Sequence, residues 1–239
     1  MNDFIKKSWV YIVLGFIFLV IGLHNFHALV NDNIKPVFEN KVTFKPDFSL
    51  FYEMGRTSVS NPDKLYNCID EKGTFVLLLN RYVFHPYPPA AALFFRFFSF
   101  LPLEWSYLSW VVMLFLMIIV ACCFFTLKIG GERCIHTKTL VSILFCAAAP
   151  AFLDLSYGNV NSLMLLLCVL YGILFYNKKH FLAGVLLSVA FWLKLYPVIL
   201  LVVVILEKKW YKACFGFLCG VGCIFLLSLL VLPSEIYLE

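Results

Sequence analysis

Few residues in this 239-residue chain could do ionic or acid–base chemistry, because most of the sequence is apolar. Lys194 is the clearest, flanked by Phe191-Trp192-Leu193 and Leu195-Tyr196-Pro197. A cation within such a run is costly unless something answers its charge. It suits a phosphate held in a cavity, and it equally suits a lysine snorkelling to a membrane interface beside Trp192 and Tyr196. Asp47 opens the segment DFSLFYEMGR at 47–56. A carboxylate there could take the proton of a hydroxyl, or it could cap a helix. Asp154, Tyr157, Asn159 and Asn161 share a short polar stretch. Asn159 and Asn161 open a helix whose first amides favour an anion, the alternative being a plain polar hairpin capped by Asn159. His85, within Phe84-His85-Pro86-Tyr87-Pro88-Pro89, is either a substrate contact or a structural loop histidine. Glu53 and Arg56 read as a solvated helix face.

Metal and nucleotide chemistry find no support in the spacing. Eight of the nine cysteines lie in or beside apolar runs, where they act as small hydrophobes, and only Cys68 lies in a polar segment. The five histidines are scattered, with no zinc or haem spacing among them. No structural metal, no cofactor and no Gly-rich nucleotide loop is expected.

The elements that must position these residues follow from composition. Hydrophobic residues make up 62% of the chain and charged ones 14%, against about 25% charge in soluble domains. This excludes a soluble enzyme, a disordered tail and a nucleic-acid binder. The net charge of +5 follows membrane topology instead. Apolar stretches predict spans at about 9–30, 105–127, 139–153, 159–176 and 213–232, with a broken helix pair over 181–206. The short segments 1–8, 128–138, 178–179 and 207–212 hold about ten Lys and Arg against three acids, which puts them and the N-terminus on the cytoplasmic side. The polar loop, about 31–103, then lies outside.

Charge also shapes the reading of 181–206. A single span there would carry Lys208, Lys209 and Lys212 outward. Two short helices meeting at Lys194–Pro197 would return them to the cytoplasm, as a broken pair buried in protein or lining a cavity. One Pro-kinked helix is the alternative. In the outer loop, Phe48, Phe51 and Tyr52 share a helical face with Leu50 and Met54 beside it, and Pro88-Pro89 opens a second helix over 90–100. Both read as interfacial helices on the outer leaflet, separated by turns at Asn61-Pro62-Asp63 and Lys72-Gly73. Asp47, His85, Asp154–Asn161 and Lys194 then all approach the outer side. The prediction is an all-α polytopic membrane protein with a single transmembrane domain and a helical first outer loop.

Several of these segments carry a family pattern. DFSLFYEMGR at 47–56, PDKLY at 62–66, YPP at 87–89, GNVN at 158–161 and FLAGVLLSVAFWLKLYP at 181–197 occur in an order and spacing that resembles the polytopic GT-C glycosyltransferases, in particular glycosyltransferase family 87. Asn159 departs from the family's usual Gln but keeps the amide. The resemblance implies an inverting transfer of a sugar, mannose, from a polyprenyl-phosphate donor to a lipid or glycan acceptor, on the outer face of a bacterial plasma membrane. It implies Asp47 as the catalytic base, Lys194 and the Asn159–Asn161 helix start as contacts to the leaving phosphate with Tyr196 beside them, and His85 as a secondary polar contact. Membrane lipids would surround the bundle, and no nucleic acid is involved. It also implies that the chain corresponds to the first part of a longer family member. The rival class is non-enzymatic, a lipid or solute transporter or an inactive relative.

Overall fold

The computed structural model describes residues 2–39, 47–62, 65, 77–78, 81–82, 87–128, 149–205 and 210–233. Helices dominate, and a two-residue antiparallel ladder pairs Leu77–Leu78 with Arg81–Tyr82. Three helical stretches among the described residues are long and apolar enough to cross a membrane, Val13–Phe38, Leu103–Phe124 and Trp210–Val231. The fold is that of an all-α polytopic membrane protein. Residues 129–148, which hold most of the predicted 139–153 span, lie outside the described set, as do His85 and residues 206–209.

By contacts the chain forms two compact units, Met1–Phe44 with Leu108–Val169, and Lys45–Tyr107 with Leu170–Glu239. The first unit opens with α1 (Asn2–Ala28), which runs through a π-helical turn, Leu29–Ile34, into α2 (Lys35–Phe38). Sequence reasoning ends this helix near Val30. It continues because Asn31 bonds back along it, Nδ2 to the His27 carbonyl at 3.1 Å, and because the wider π turn lies just ahead of Pro36, whose ring would clash with an ordinary preceding turn. Helix α5 (Leu103–Lys128) buries Trp110, Leu114, Ile118 and Ala121 along one stripe and leaves Val112, Phe115, Leu116 and Val120 exposed. A helix apolar on every side, with one stripe packed, is built for a lipid surround. The Trp110 indole donates to the Gly158 carbonyl at 2.7 Å, which satisfies its one polar atom within the core. Helix α6 (Ala149–Tyr157) ends there in a Schellman turn. Gly158 takes φ 63°, and the Asn159 amide reaches back to the Asp154 carbonyl at 3.1 Å. The polar stretch from Asp154 to Gly158 is therefore mostly helix, and only Gly158 leaves it.

In the second unit α3 (Asp47–Ser60) packs on α4 (Pro89–Arg96). Phe51 stacks on Phe95 with centroids 4.4 Å apart, and Phe48 meets Phe98 edge-on at 6.0 Å. A Cβ at Gly55 would lie 2.5 Å from the Phe95 carbonyl, so glycine is what lets the two backbones approach. The expectation that α3 lays its aromatics on the leaflet is thereby corrected. Phe48, Phe51, Tyr52 and Met54 are buried in protein, while Phe94, Phe97, Phe100 and Trp105 are exposed.

Helix α7 (Asn161–Tyr176) is followed by α8 (His180–Leu193), a 3-10 turn (Tyr196–Ile199), α9 (Leu200–Ile205) and α10 (Trp210–Val231). Helices α8 and α10 run parallel. Their contacts climb both helices together: Phe181 meets Gly216, Gly184 meets Ala213 and Phe217, Ser188 meets Gly220, and Trp192 donates to the Val221 carbonyl at 3.3 Å and stacks on Phe225. Small residues at these positions let the helices close up without a hydrophobic driving force in lipid. Because α8 and α10 are parallel, the short segment between them is obliged to turn back. The turn starts at Lys194, whose backbone is extended at φ −150° and ψ 139°. Residues Leu200 and Leu201 pack on a cluster of Tyr171, Ala183, Leu187, Ala213 and Phe217 on the way back.

Candidate functional site

Helix α8 has 14 residues, about 21 Å at 1.5 Å per residue, so its end falls short of a 30 Å hydrocarbon core. Lys194 stands at that end, half-buried, where the helix presents its partial negative charge. Its amide bonds to the Ala190 carbonyl at 2.8 Å, and its Nζ lies 6.0 Å from the centre of the Tyr196 ring. Tyr196 is 55% exposed. The break in the helix thus presents a cation and a phenol together.

Asp47 is the first residue of α3 and is half-buried. A carboxylate is favoured at that end by the helix dipole. Phe51 is four residues on and lies on the same face as Asp47. Tyr87 packs edge-on against Phe51 with centroids 4.8 Å apart, which places it on the Asp47 face of α3. Its phenol is pushed up to about 12, first by burial, then by the Asp47 carboxylate and Tyr196. Tyr87 therefore keeps its proton at neutral pH and has both the acid and the Lys194 turn as electrostatic neighbours. Helix α4, which begins two residues after Tyr87, packs on α8 and α10. Asp47, Tyr87, Tyr196 and Lys194 share the second unit. Tyr87 is the member that sequence reasoning missed, although it stands in the YPP segment. Glu53 and Arg56 pair with each other at 3.2 Å, on the solvated face the sequence indicated.

Asn159 and Asn161 belong to the first unit. The Asn159 Oδ1 accepts from the Val160 amide at 2.7 Å. The cap on α7 comes instead from Asp154, whose Oδ2 accepts the Ser162 amide at 2.7 Å and the Ser162 hydroxyl. A carboxylate of the chain itself thus takes one of the amides expected to face an external anion. Asp154 is buried. Burial raises its pKa and the hydrogen bonds with Ser162 and Asn161 oppose the rise, with a net upward shift. Its Oδ1 is buried without a hydrogen bond of good geometry. Among the described residues no three His, Cys, Asp or Glu side chains gather in a way that could hold a metal ion.

Residues 84–239 match the family model for glycosyltransferase family 87. The matched stretch is more than half of the chain and includes Tyr87, Asn159, Asn161, Lys194 and Tyr196, while Asp47 precedes it. No curated protein and no solved structure matches the chain.

Proposed function

Because the chain belongs to glycosyltransferase family 87, we propose that it is a GT-C-type membrane enzyme that transfers mannose from polyprenyl phosphate to a lipid or glycan acceptor. The site faces the outer side of a bacterial plasma membrane. Asp47 takes the proton of the acceptor hydroxyl, and that oxygen attacks the anomeric carbon. The bond from that carbon to the phosphate oxygen breaks on the opposite face, so configuration inverts. Polyprenyl phosphate leaves with the electron pair and gains one negative charge. Lys194 meets that charge as it develops, which is where a preorganised cation lowers the barrier most. Tyr196 contributes a polar contact to the phosphate, and His85 a secondary one to the substrate.

The observation that carries this reading is the family match over residues 84–239, and it is supported by Asp47, Tyr196 and Lys194 belonging to one compact unit, with the Lys194 Nζ 6.0 Å from the centre of the Tyr196 ring. An inverting transfer between a hydroxyl and a lipid phosphate requires a base for the one and a cation for the other, the roles proposed for Asp47 and Lys194. The turn-back at Lys194 supports a re-entrant hairpin, with Lys178, Lys179 and Lys212 on the cytoplasmic side. Donor class is the test. Membranes carrying the chain are given labelled mannose either on polyprenyl phosphate or on a nucleotide. Label moving from the lipid carrier alone is the expected result. Direct use of the nucleotide sugar with the lipid-linked one ignored refutes the donor assignment. Transport of solute or lipid without transfer refutes the enzymatic class.

A further inference from the structure

We infer that the adjoining starts of α8 and α10 form a docking surface for the headgroups of anionic phospholipids. The parallel seam puts both starts on one side of the second unit. Ser188 lies against Gly220 and Phe181 against Gly216, and the Phe181 and Phe215 rings are 6.0 Å apart. Eight residues back from Ser188 and Gly220 stand His180 and Lys212, so Lys212 is level with the first residue of α8. The turn ahead of α8 carries Lys178 and Lys179. Its backbone is held by the Lys178 amide bonding to the Phe175 carbonyl at 3.0 Å and the Lys179 amide to the Leu174 carbonyl at 2.9 Å. All three lysines are exposed, and neither helix has an acid in its first turn. In the sequence, Glu207, Lys208 and Lys209 lead into α10 and add one net positive charge. The start of α7 is different, since there Asp154 supplies the anion from within the chain. Trp210 and Tyr211 open α10 and are 48% and 54% exposed. Helix α10 is long and apolar enough to cross a membrane, so these rings fall where a span leaves the hydrocarbon. Trp and Tyr favour that depth, and lysines beside them reach outward to the phosphate layer. A bilayer therefore fits both halves of the surface, the rings at the acyl boundary and the ammonium groups on lipid phosphates. A soluble anion would answer the lysines and leave the two rings unexplained.

The experiment uses the full chain in nanodiscs of phosphatidylcholine with a minor share of phosphatidylglycerol. Brominated acyl chains, which quench nearby tryptophan, are carried by one lipid or the other. The Trp210 signal is the difference between each protein and its Trp210→Phe counterpart. In the wild type, brominated phosphatidylglycerol is expected to quench Trp210 roughly two- to fivefold more than its bulk share predicts, the preference that a lysine near anionic lipid confers. The excess should fall in about 0.5 M sodium chloride, which screens exposed charges. Replacing Lys178, Lys179 and Lys212 together by glutamine should bring quenching down to the bulk share. Replacing all three by arginine, which keeps the charge, should preserve the excess. Wild-type quenching that follows bulk share overturns the inference, as does an excess that survives in the glutamine variant. An excess abolished by added inorganic phosphate would mark an ordinary anion site, which overturns the bilayer assignment too. Sugar transfer plays no part in this contact, and Asp47→Asn reads that activity separately.

Discussion

Replacing Gly184 by alanine tests the parallel packing of α8 and α10, on which the position of Lys194 depends. A Cβ at Gly184 would overlap the Ala213 carbonyl oxygen and lie 2.7 Å from the Phe217 amide nitrogen. Both are backbone atoms, so no side chain can swing aside and the helices must part. Overpacking of a closed seam costs about 1–3 kcal/mol, and rigid backbone contacts place this case in the upper part of that range. Alanine returns about 1 kcal/mol of helix propensity, leaving a net loss of about 1–2 kcal/mol. Gly222 on α10 supplies the control, since a Cβ there meets nothing within 4 Å. Gly222→Ala should gain up to about 1 kcal/mol. The two variants should then differ by about 2–3 kcal/mol, or roughly 4–12 °C in unfolding midpoint for a chain of this size. Thermal unfolding of the detergent-solubilised protein, followed by tryptophan fluorescence, reads the difference. Equal midpoints would refute the close parallel seam and with it the turn-back at Lys194.

Further expectations concern the turns and the phosphate contact. Asp154→Ala should cost about 1–2 kcal/mol, because the cap on the Ser162 amide is lost. Asp154→Asn keeps an acceptor and should alter the pH dependence instead. The folded state raises the pKa of Asp154 from its ordinary value of 3.8, so the folded protein holds this proton longer than the unfolded chain. Its contribution is most favourable below that ordinary value and declines as pH rises through the folded value. A denaturation series from acid to neutral pH should show that decline in the wild type and a flatter profile in Asp154→Asn. Lys178 adopts φ 60°, so Lys178→Gly should stabilise the turn by about 0.5–1 kcal/mol, readable as a raised midpoint. Lys194→Met should keep the fold, with its midpoint unchanged within error, and lower kcat by roughly a hundredfold or more. A change confined to KM would assign Lys194 to ground-state binding alone.

Much of this arrangement is written in residue spacing. The acid followed by Phe48, Phe51 and Tyr52 announces a helix that starts at Asp47, and the Lys-x-Tyr-Pro run announces a break. Charge placement alone asks the chain to turn back after Lys194, since Lys178–Lys179 and Lys208–Lys212 must share a side. What spacing does not convey is which partner covers an apolar face. The α3 aromatics look the same whether they meet lipid or Phe95, and the decision rests on a close approach at Gly55 that depends on tertiary contact. The cap on α7 was misplaced for a related reason. Asn159 is the residue at the expected position, yet Asp154 reaches across a Schellman turn to take the Ser162 amide. Tyr87 carries no periodic signal, and only its packing on Phe51 brings it beside Asp47.

Sugar transfer by Asp47 variants tests the central claim most directly. Membranes with matched amounts of wild type, Asp47→Asn and Asp47→Glu receive labelled polyprenyl-phosphate mannose, and the label reaching the acceptor is followed over time. A general base predicts that Asp47→Asn loses roughly a hundredfold or more while Asp47→Glu keeps a measurable fraction. Transfer that continues at the wild-type rate in Asp47→Asn would show that Asp47 serves only the helix start.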